Sequence, residues 1–231
     1  MADVTNLLIA APAYGGSVKT ACVDSLLRLQ KRLAARGVKM RFDFTSYAEV
    51  AAVRNLFGTI MAENRVASHL LFVDTDMQFS PETVCRLIEA QKPVIGCFYA
   101  RRTDEGGMVG VVDKPTRVGP EGIVEAEAVG MGLCLIQGDV FRDLAASGSL
   151  AEQTDHPFPG RISGPLLGFF TPPARTGPYM SEDIAFCHRW RDACGGRVFA
   201  LVREDVGHVG DKIYRRNTEI NLIVPPVPKP E

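Results

Sequence analysis

The first two-fifths of this sequence alternates short apolar runs with amphipathic stretches, and that order admits few folds. Leu7 to Ala11 is a short apolar run, which reads as a strand buried on both faces. Tyr14-Gly-Gly-Ser17 reads as a turn, with Ser17 expected to cap a helix over 18–35 whose apolar positions include Val23, Leu26, Leu27 and Leu33. Gly37 stands where that helix should stop. Residues 38–44 alternate apolar and polar as a half-buried strand does, and 48–64 reads as a second helix. His69 to Val73 is a third strand, short and apolar on both faces. Ser80-Pro-Glu opens a helix to about Ala90 with a cap, a proline at the first position and an early acid, and 94–99 is the next strand. A βαβαβαβ order implies a parallel sheet covered by helices on both faces.

The second half changes character. Residues 109–112, 123–128 and 133–136 are strand-like with no helix between them, so mixed or antiparallel strands are expected to be appended to the parallel core. A short helix over 139–146 precedes a long stretch rich in Gly and Pro, 147–180, of the kind that usually carries function in a compact domain. Ser181 is placed to cap a helix from Glu182 to about Ala193, ended by Gly195-Gly196, and 198–202 is a last core strand. The expected fold is therefore α/β, a mixed and mostly parallel sheet flanked by helices. One domain spans residues 1–223, with a first half of about 1–105 and a second half of about 106–223. The tail 224–231, with four prolines, cannot pair in a central strand and is expected to lie extended on the surface.

Net charge excludes little but is informative. At −1 it gives no global electrostatic reason to bind nucleic acid or an anionic membrane. None of the six cysteines forms a Cys-x-x-Cys pair, so reduced core thiols of a cytoplasmic protein are expected rather than a zinc site. No apolar run reaches the roughly 18 residues a membrane span needs, and Met-Ala-Asp-Val-Thr lacks a basic secretory start.

The chemistry concentrates around Asp74 and Asp76, in Leu70-Leu-Phe-Val-Asp-Thr-Asp-Met77. A chain this rich in aspartate contains about one Asp-x-Asp pair by chance, so spacing alone means little. Position adds weight: the pair follows a buried strand and precedes a capped helix, where open α/β sheets bind ligands. Two carboxylates there repel unless they share a cation, and hard oxygen ligands suit Mg²⁺ or Mn²⁺. The competing structural reading is a solvated βα turn.

Four segments in order resemble the GT-A glycosyltransferases, particularly the family 2-like members. Ala11-Pro-Ala-Tyr14 resembles the nucleotide-binding Pro loop, Val53-Arg-Asn55 the Arg-Asn segment near the diphosphate, Leu71-Phe-Val-Asp-Thr-Asp76 the metal motif and Ser181-Glu-Asp183 the acceptor-side Glu-Asp motif. Val206-Gly-His-Val-Gly210 resembles a late segment whose His ligates the metal in several such enzymes. The resemblance implies a hexosyltransferase-like enzyme that binds a nucleotide-diphosphate sugar and Mn²⁺ or Mg²⁺. It assigns Pro12, Tyr14, Arg54, Asn55, Asp74 and Asp76 to the donor. Asp76 and His208, with Asp74, go to the metal, Asp183 to the general base of an inverting transfer, and Glu182 and Gly132 to the acceptor. The acceptor itself stays open: saccharide, small molecule, protein or modified nucleic acid.

Each residue also has a plain reading. Glu182 and Asp183 complement a helix dipole wherever they stand in its first turn. Arg54 can lie on an exposed helix face. Arg101 and Arg102 read as a solvated pair, Gly130-Met-Gly132 as a bulge, and Lys212, Tyr214, Arg215 and Arg216 as a solvated basic patch. Three other enzymes compete with an inverting transferase. A retaining glycosyltransferase shares the fold. A sugar-nucleotide pyrophosphorylase should show Gly-x-Gly-Thr-Arg after the first strand, which Ala11-Pro-Ala-Tyr-Gly-Gly16 lacks. A phosphatase of the haloacid-dehalogenase type needs Thr or Val where Gln78 stands. A non-catalytic nucleotide-sugar-binding domain would be expected to have lost an acid from the metal or base motif.

Overall fold

The computed structural model describes residues 6–63, 67–103, 106–112, 118–119, 121–173 and 179–215. The Pro-rich tail, Asn64 and Arg216 lie outside the described residues. In chain order the strands of the main sheet are β1 (Asn6–Pro12), β2 (Lys39–Thr45), β3 (His69–Val73), β5 (Val94–Cys97), β8 (Ile123–Ala126), β9 (Leu133–Gln137) and β12 (Val198–Leu201). The short strands are β4 (Met77–Gln78), β6 (Tyr99–Ala100), β7 (Met108–Val109), β10 (Glu152–Gln153), β11 (Leu166–Leu167), β13 (Gly207–Val209) and β14 (Ile213–Tyr214). The helices are α1 (Thr20–Ala34), α2 (Val50–Glu63), α3 (Pro81–Glu89), α4 (Gly138–Ala146) and α5 (Glu182–Cys194).

The main sheet has seven strands in the order β2-β1-β3-β9-β5-β12-β8. β2, β1, β3, β5 and β12 run one way, and β9 and β8 run against them. The antiparallel strands are therefore not simply appended. β9 stands in the centre, antiparallel to both β3 and β5, while β8 takes the edge beside β12. Burial explains the choice. Leu133 to Ile136 is buried throughout and needs cover on both faces, whereas β8 exposes Glu125 between two buried residues, as an edge strand can.

Alternate residues of the strands feed two cores. Leu8, Ala10, Leu70 and Phe72 pack with Phe57 of α2, Phe141 of α4 and Phe186 of α5. Leu7, Ile9, Leu71 and Val73 pack on the other face with Leu26, Leu29 and Leu33 of α1 and Val84 and Leu87 of α3.

The helix ends follow the sequence in part. Ser80 caps α3 by accepting the Thr83 N–H, and Gly195 closes α5 in the left-handed region at φ 63°. Ser17 does not cap α1; Lys19 holds that position without a side-chain bond, and its N–H donates instead to the Thr75 carbonyl (2.9 Å). The strand expected over 94–99 breaks at Phe98, and its last residue starts β6, which pairs with β7 rather than with the main sheet. All six cysteines are free thiols, five of them buried. No helix among the described residues is long and apolar enough to cross a membrane.

Candidate functional site

β3 is buried along its whole length, and its C-terminal end delivers the acidic turn to the rim of the sheet. The Asp74 N–H donates to the Gly132 carbonyl (2.9 Å) and the Met77 N–H to the Asp74 carbonyl (3.1 Å), which closes the turn. The Cys22 thiol of α1 also donates to the Asp74 carbonyl at 3.6 Å. Burial, with the two nearby carboxylates, pushes that thiol up to about 12, so it acts as a neutral donor.

The late segment reaches the same turn by strand pairing. β13 is antiparallel to β4 with His208 opposite Met77, and the Val209 N–H donates to the Asp76 carbonyl at 2.7 Å. This register brings His208 Nε2 to 3.4 Å from Asp76 Oδ2. The ring is oriented by contact of Nδ1 with the Ala100 carbonyl (3.1 Å) and by the Tyr99 ring edge-on, centroids 5.5 Å apart. Arg102 supplies the cation, its Nη1 2.9 Å from Asp76 Oδ2. Burial opposes ionisation of Asp76, but the bond and charge of His208 together with Arg102 outweigh it and hold this carboxyl below its usual range.

Asp74 faces a different partner. Arg54, on α2, is only 3% exposed. It donates to Asp74 Oδ1 at 2.8 Å through one Nη and to Glu182 through the other. It is therefore not a residue of an exposed helix face. Its guanidinium lies 5.9 Å from the centroid of the Phe72 ring, and Nε has no partner among the described residues. Burial disfavours the Arg54 charge, yet Asp74 and Glu182 raise its pKa above the ordinary value. Burial raises the Glu182 carboxyl, and Arg54 offsets part of the rise. Asp183 sits beside Glu182 in the first turn of α5, where its Oδ1 accepts the Ser181 hydroxyl and the Ile184 N–H (2.8 Å).

Asn55 uses its amide inside the chain. Nδ2 donates to the Thr171 hydroxyl (2.9 Å), and Oδ1 accepts the Phe170 N–H (2.6 Å). It thereby pins part of the Gly/Pro-rich stretch to α2. Pro12 ends β1, and Tyr14 stands 74% exposed in a tight turn whose Gly15 and Gly16 take φ of 64° and 68°.

Gly132 is a close approach. A Cβ there would lie 2.5 Å from the Tyr99 hydroxyl oxygen, which instead accepts the Gly132 N–H at 3.1 Å. An open cavity of about 590 Å³ lies beside His208, bordered by Arg101, Arg102, Gly210 and Tyr214. Sequence reasoning missed Tyr99 as the support of both Gly132 and His208, and read Arg102 as solvated. No local pattern marks either, because both contacts are long-range.

The geometry thus gathers the residues into two neighbouring groups: Asp76, His208 and Arg102; and Asp74, Arg54, Glu182 and Asp183. Among the described residues no three His, Cys, Asp or Glu side chains converge as a metal cage. The Asp76–His208 separation nevertheless fits two ligands of one ion, since ligand distances of about 2.1 Å at neighbouring coordination positions place donors roughly 3 Å apart. Mg²⁺-type ions commonly take one or two carboxylates and complete their shell with water and substrate phosphate.

No protein-family profile matches the chain, and no curated protein sequence matches it. Among solved structures it is similar to A197 from STIV, with a TM-score of 0.54 and 14% identity over 93% of this chain and 95% of that one. A mutant Drosophila β-1,4-galactosyltransferase 7, solved with manganese, UDP-Gal and xylobiose, gives a TM-score of 0.45 at 12% identity over 93% and 72% of the two chains. GalNAc-T7, solved with UDP, GalNAc and Mn²⁺, gives 0.48 at 10% identity over 93% and 44%. The mostly parallel, mixed sheet flanked by helices is the α/β architecture that the sequence leads one to expect.

Proposed function

We propose that this chain is a metal-dependent glycosyltransferase that moves a sugar from a nucleotide-diphosphate sugar to an acceptor hydroxyl. The observation that carries the reading is the convergence of the Asp76–His208 pair and the Asp74–Arg54–Glu182 bridge at one end of the sheet. Asp76 and His208 hold Mn²⁺ or Mg²⁺, which supplies charge neutralisation for the diphosphate leaving group. Pro12 and Tyr14 border the nucleotide, and Asp74, with its second oxygen unclaimed by Arg54, faces the donor. Arg54 and Asn55 act through others: Arg54 orients Asp74 against Glu182, and Asn55 fixes the loop at Phe170.

Asp183 takes the proton from the acceptor hydroxyl in an inverting transfer, with Glu182 and Gly132 on the acceptor side. Its Oδ1 accepts the Ser181 hydroxyl and the Ile184 N–H, which orient the carboxylate in the first turn of α5. The test is nucleotide release from a panel of UDP-, GDP- and dTDP-sugars with and without Mn²⁺, with the product anomer read by NMR. Asp183→Asn should lower kcat by about 10²–10⁴ with thermal unfolding unchanged. No turnover of any donor, together with Mn²⁺ binding undiminished in Asp76→Ala, overturns the proposal. A near-normal rate in Asp183→Asn removes the inverting base.

A further inference from the structure

Among the described residues β2 is an edge of the main sheet, and it presents an apolar face of Met40, Phe42 and Phe44 opposite a charged face of Lys39, Arg41 and Asp43. Thr45 directs its carbonyl to Ala13 beyond the end of β1, so Lys39, Arg41, Asp43 and Thr45 turn their backbone groups inward. Met40, Phe42 and Phe44 therefore point theirs outward, and among the described residues none takes a backbone bond from outside the sheet. On the α1 side Phe42 and Phe44 line an apolar groove of about 270 Å³ with Val18, Val23, Leu26 and Leu27. Leu27 is 60% and Phe44 45% exposed.

We propose that the occupant of this edge is a second copy of the same chain, its β2 antiparallel to the first and centred on Phe42. The sequence Lys39-Met-Arg-Phe-Asp-Phe-Thr45 is self-complementary in that register. Phe42 meets Phe42, Met40 meets Phe44, and Arg41 meets Asp43 twice, once on each side of the two-fold axis. The register also falls on the outward-facing residues, so Met40, Phe42 and Phe44 form hydrogen-bonded pairs. Slipping by one residue would set inward-facing groups against the partner. Opposed residues share a face, so the phenyl rings and Met40 lie under α1, where Leu27 and Val23 of the two copies meet. Arg41 and Asp43 lie on the other face. There Asp43 already accepts Thr45 Oγ1 through Oδ1 and Arg161 through Oδ2 (2.7 Å), and a carboxylate retains acceptor sites for a further guanidinium. Arg41 is exposed, within reach of the counterpart carboxylate across such a pairing.

The test is the mass of the full chain by sedimentation across a concentration series. The wild type should reach twice the monomer mass. Arg41→Asp, at an exposed position that leaves the monomer fold intact, should weaken association at least tenfold, and Arg41→Lys should hold it within about twofold. Phe42→Cys should cross-link to itself on mild oxidation, because hydrogen-bonded antiparallel partners stand about 5.5 Å apart at Cα, within disulfide reach. Lys39→Cys should not. A monomer at every concentration overturns the proposal. So does a dimer indifferent to Arg41→Asp, which places the contact on another face. A monomer that becomes dimeric only on truncation after Arg215 overturns it as well, by showing that the chain's own C-terminal segment covers the groove.

Discussion

His208 presents Nε2 to Asp76 Oδ2 across 3.4 Å while its Nδ1 lies 3.1 Å from the Ala100 carbonyl. A carbonyl only accepts, so Nδ1 carries a proton and Nε2 is the nitrogen that faces the carboxylate. Arg102 Nη1 lies 2.9 Å from the same carboxylate oxygen.

A metal held as proposed would compete with Arg102 for Asp76. Asp76→Ala and His208→Ala should each weaken Mn²⁺ binding at least tenfold by calorimetry. Arg102→Ala should tighten it, by up to about fivefold, since a half-exposed ion pair is worth roughly 0.2–1 kcal/mol. Weaker binding in Arg102→Ala would mean that the guanidinium supports the site instead of occupying it.

Arg54 bridges two carboxylates from a buried position, so stability depends on it. Arg54→Leu strands two carboxylates around a buried position and should cost about 3–5 kcal/mol in urea denaturation. Arg54→Lys, which reaches one carboxylate but cannot bridge two, should fall between that variant and the wild type. A loss below about 1 kcal/mol would show that Asp74 and Glu182 rehydrate freely.

Asn55→Ala leaves the buried Phe170 N–H without its acceptor, at about 1–3 kcal/mol. Hydrogen exchange at Phe170 and its neighbours should accelerate, while the α1 amides keep their protection. Equal acceleration everywhere would mean that Asn55 serves the global fold and not this loop.

His69 opens β3 and is buried, and burial lowers its pKa below the ordinary histidine value. Below about pH 6.5 the unfolded chain takes up this proton more readily than the folded one, so the stability due to neutral His69 is present above that pH and lost as pH falls. The urea midpoint of the wild type should drop between pH 7.5 and 5.5, and that of His69→Asn should drop less. Identical slopes would assign the acid sensitivity to other groups.

Much of this was legible in the sequence because the signals were local. The helix of residues 81–89 announced itself by Ser80-Pro-Glu, α5 ended at its glycine, and β3, buried along its length, could only deliver Asp74 and Asp76 at a sheet end. What stayed hidden depended on pairing between distant segments. Nothing in Leu133–Ile136 says which strands it will separate. Arg54 looked like a phosphate ligand or a solvated residue because its two carboxylates lie 20 and 128 positions away. Tyr99 was an ordinary strand end until Gly132 and His208 arrived on either side of it.

The central place of β9 also bears on how the chain is made. Until residue 137 has left the ribosome, β3 and β5 have no strand to join them, and β12 follows some sixty residues later. The N-terminal segment therefore cannot complete its sheet during early synthesis, and folding waits on non-local closure, a slow class of step. A fragment ending near residue 105 would leave β3 and β5 with bare apolar edges that β9 and β12 cover in the intact sheet.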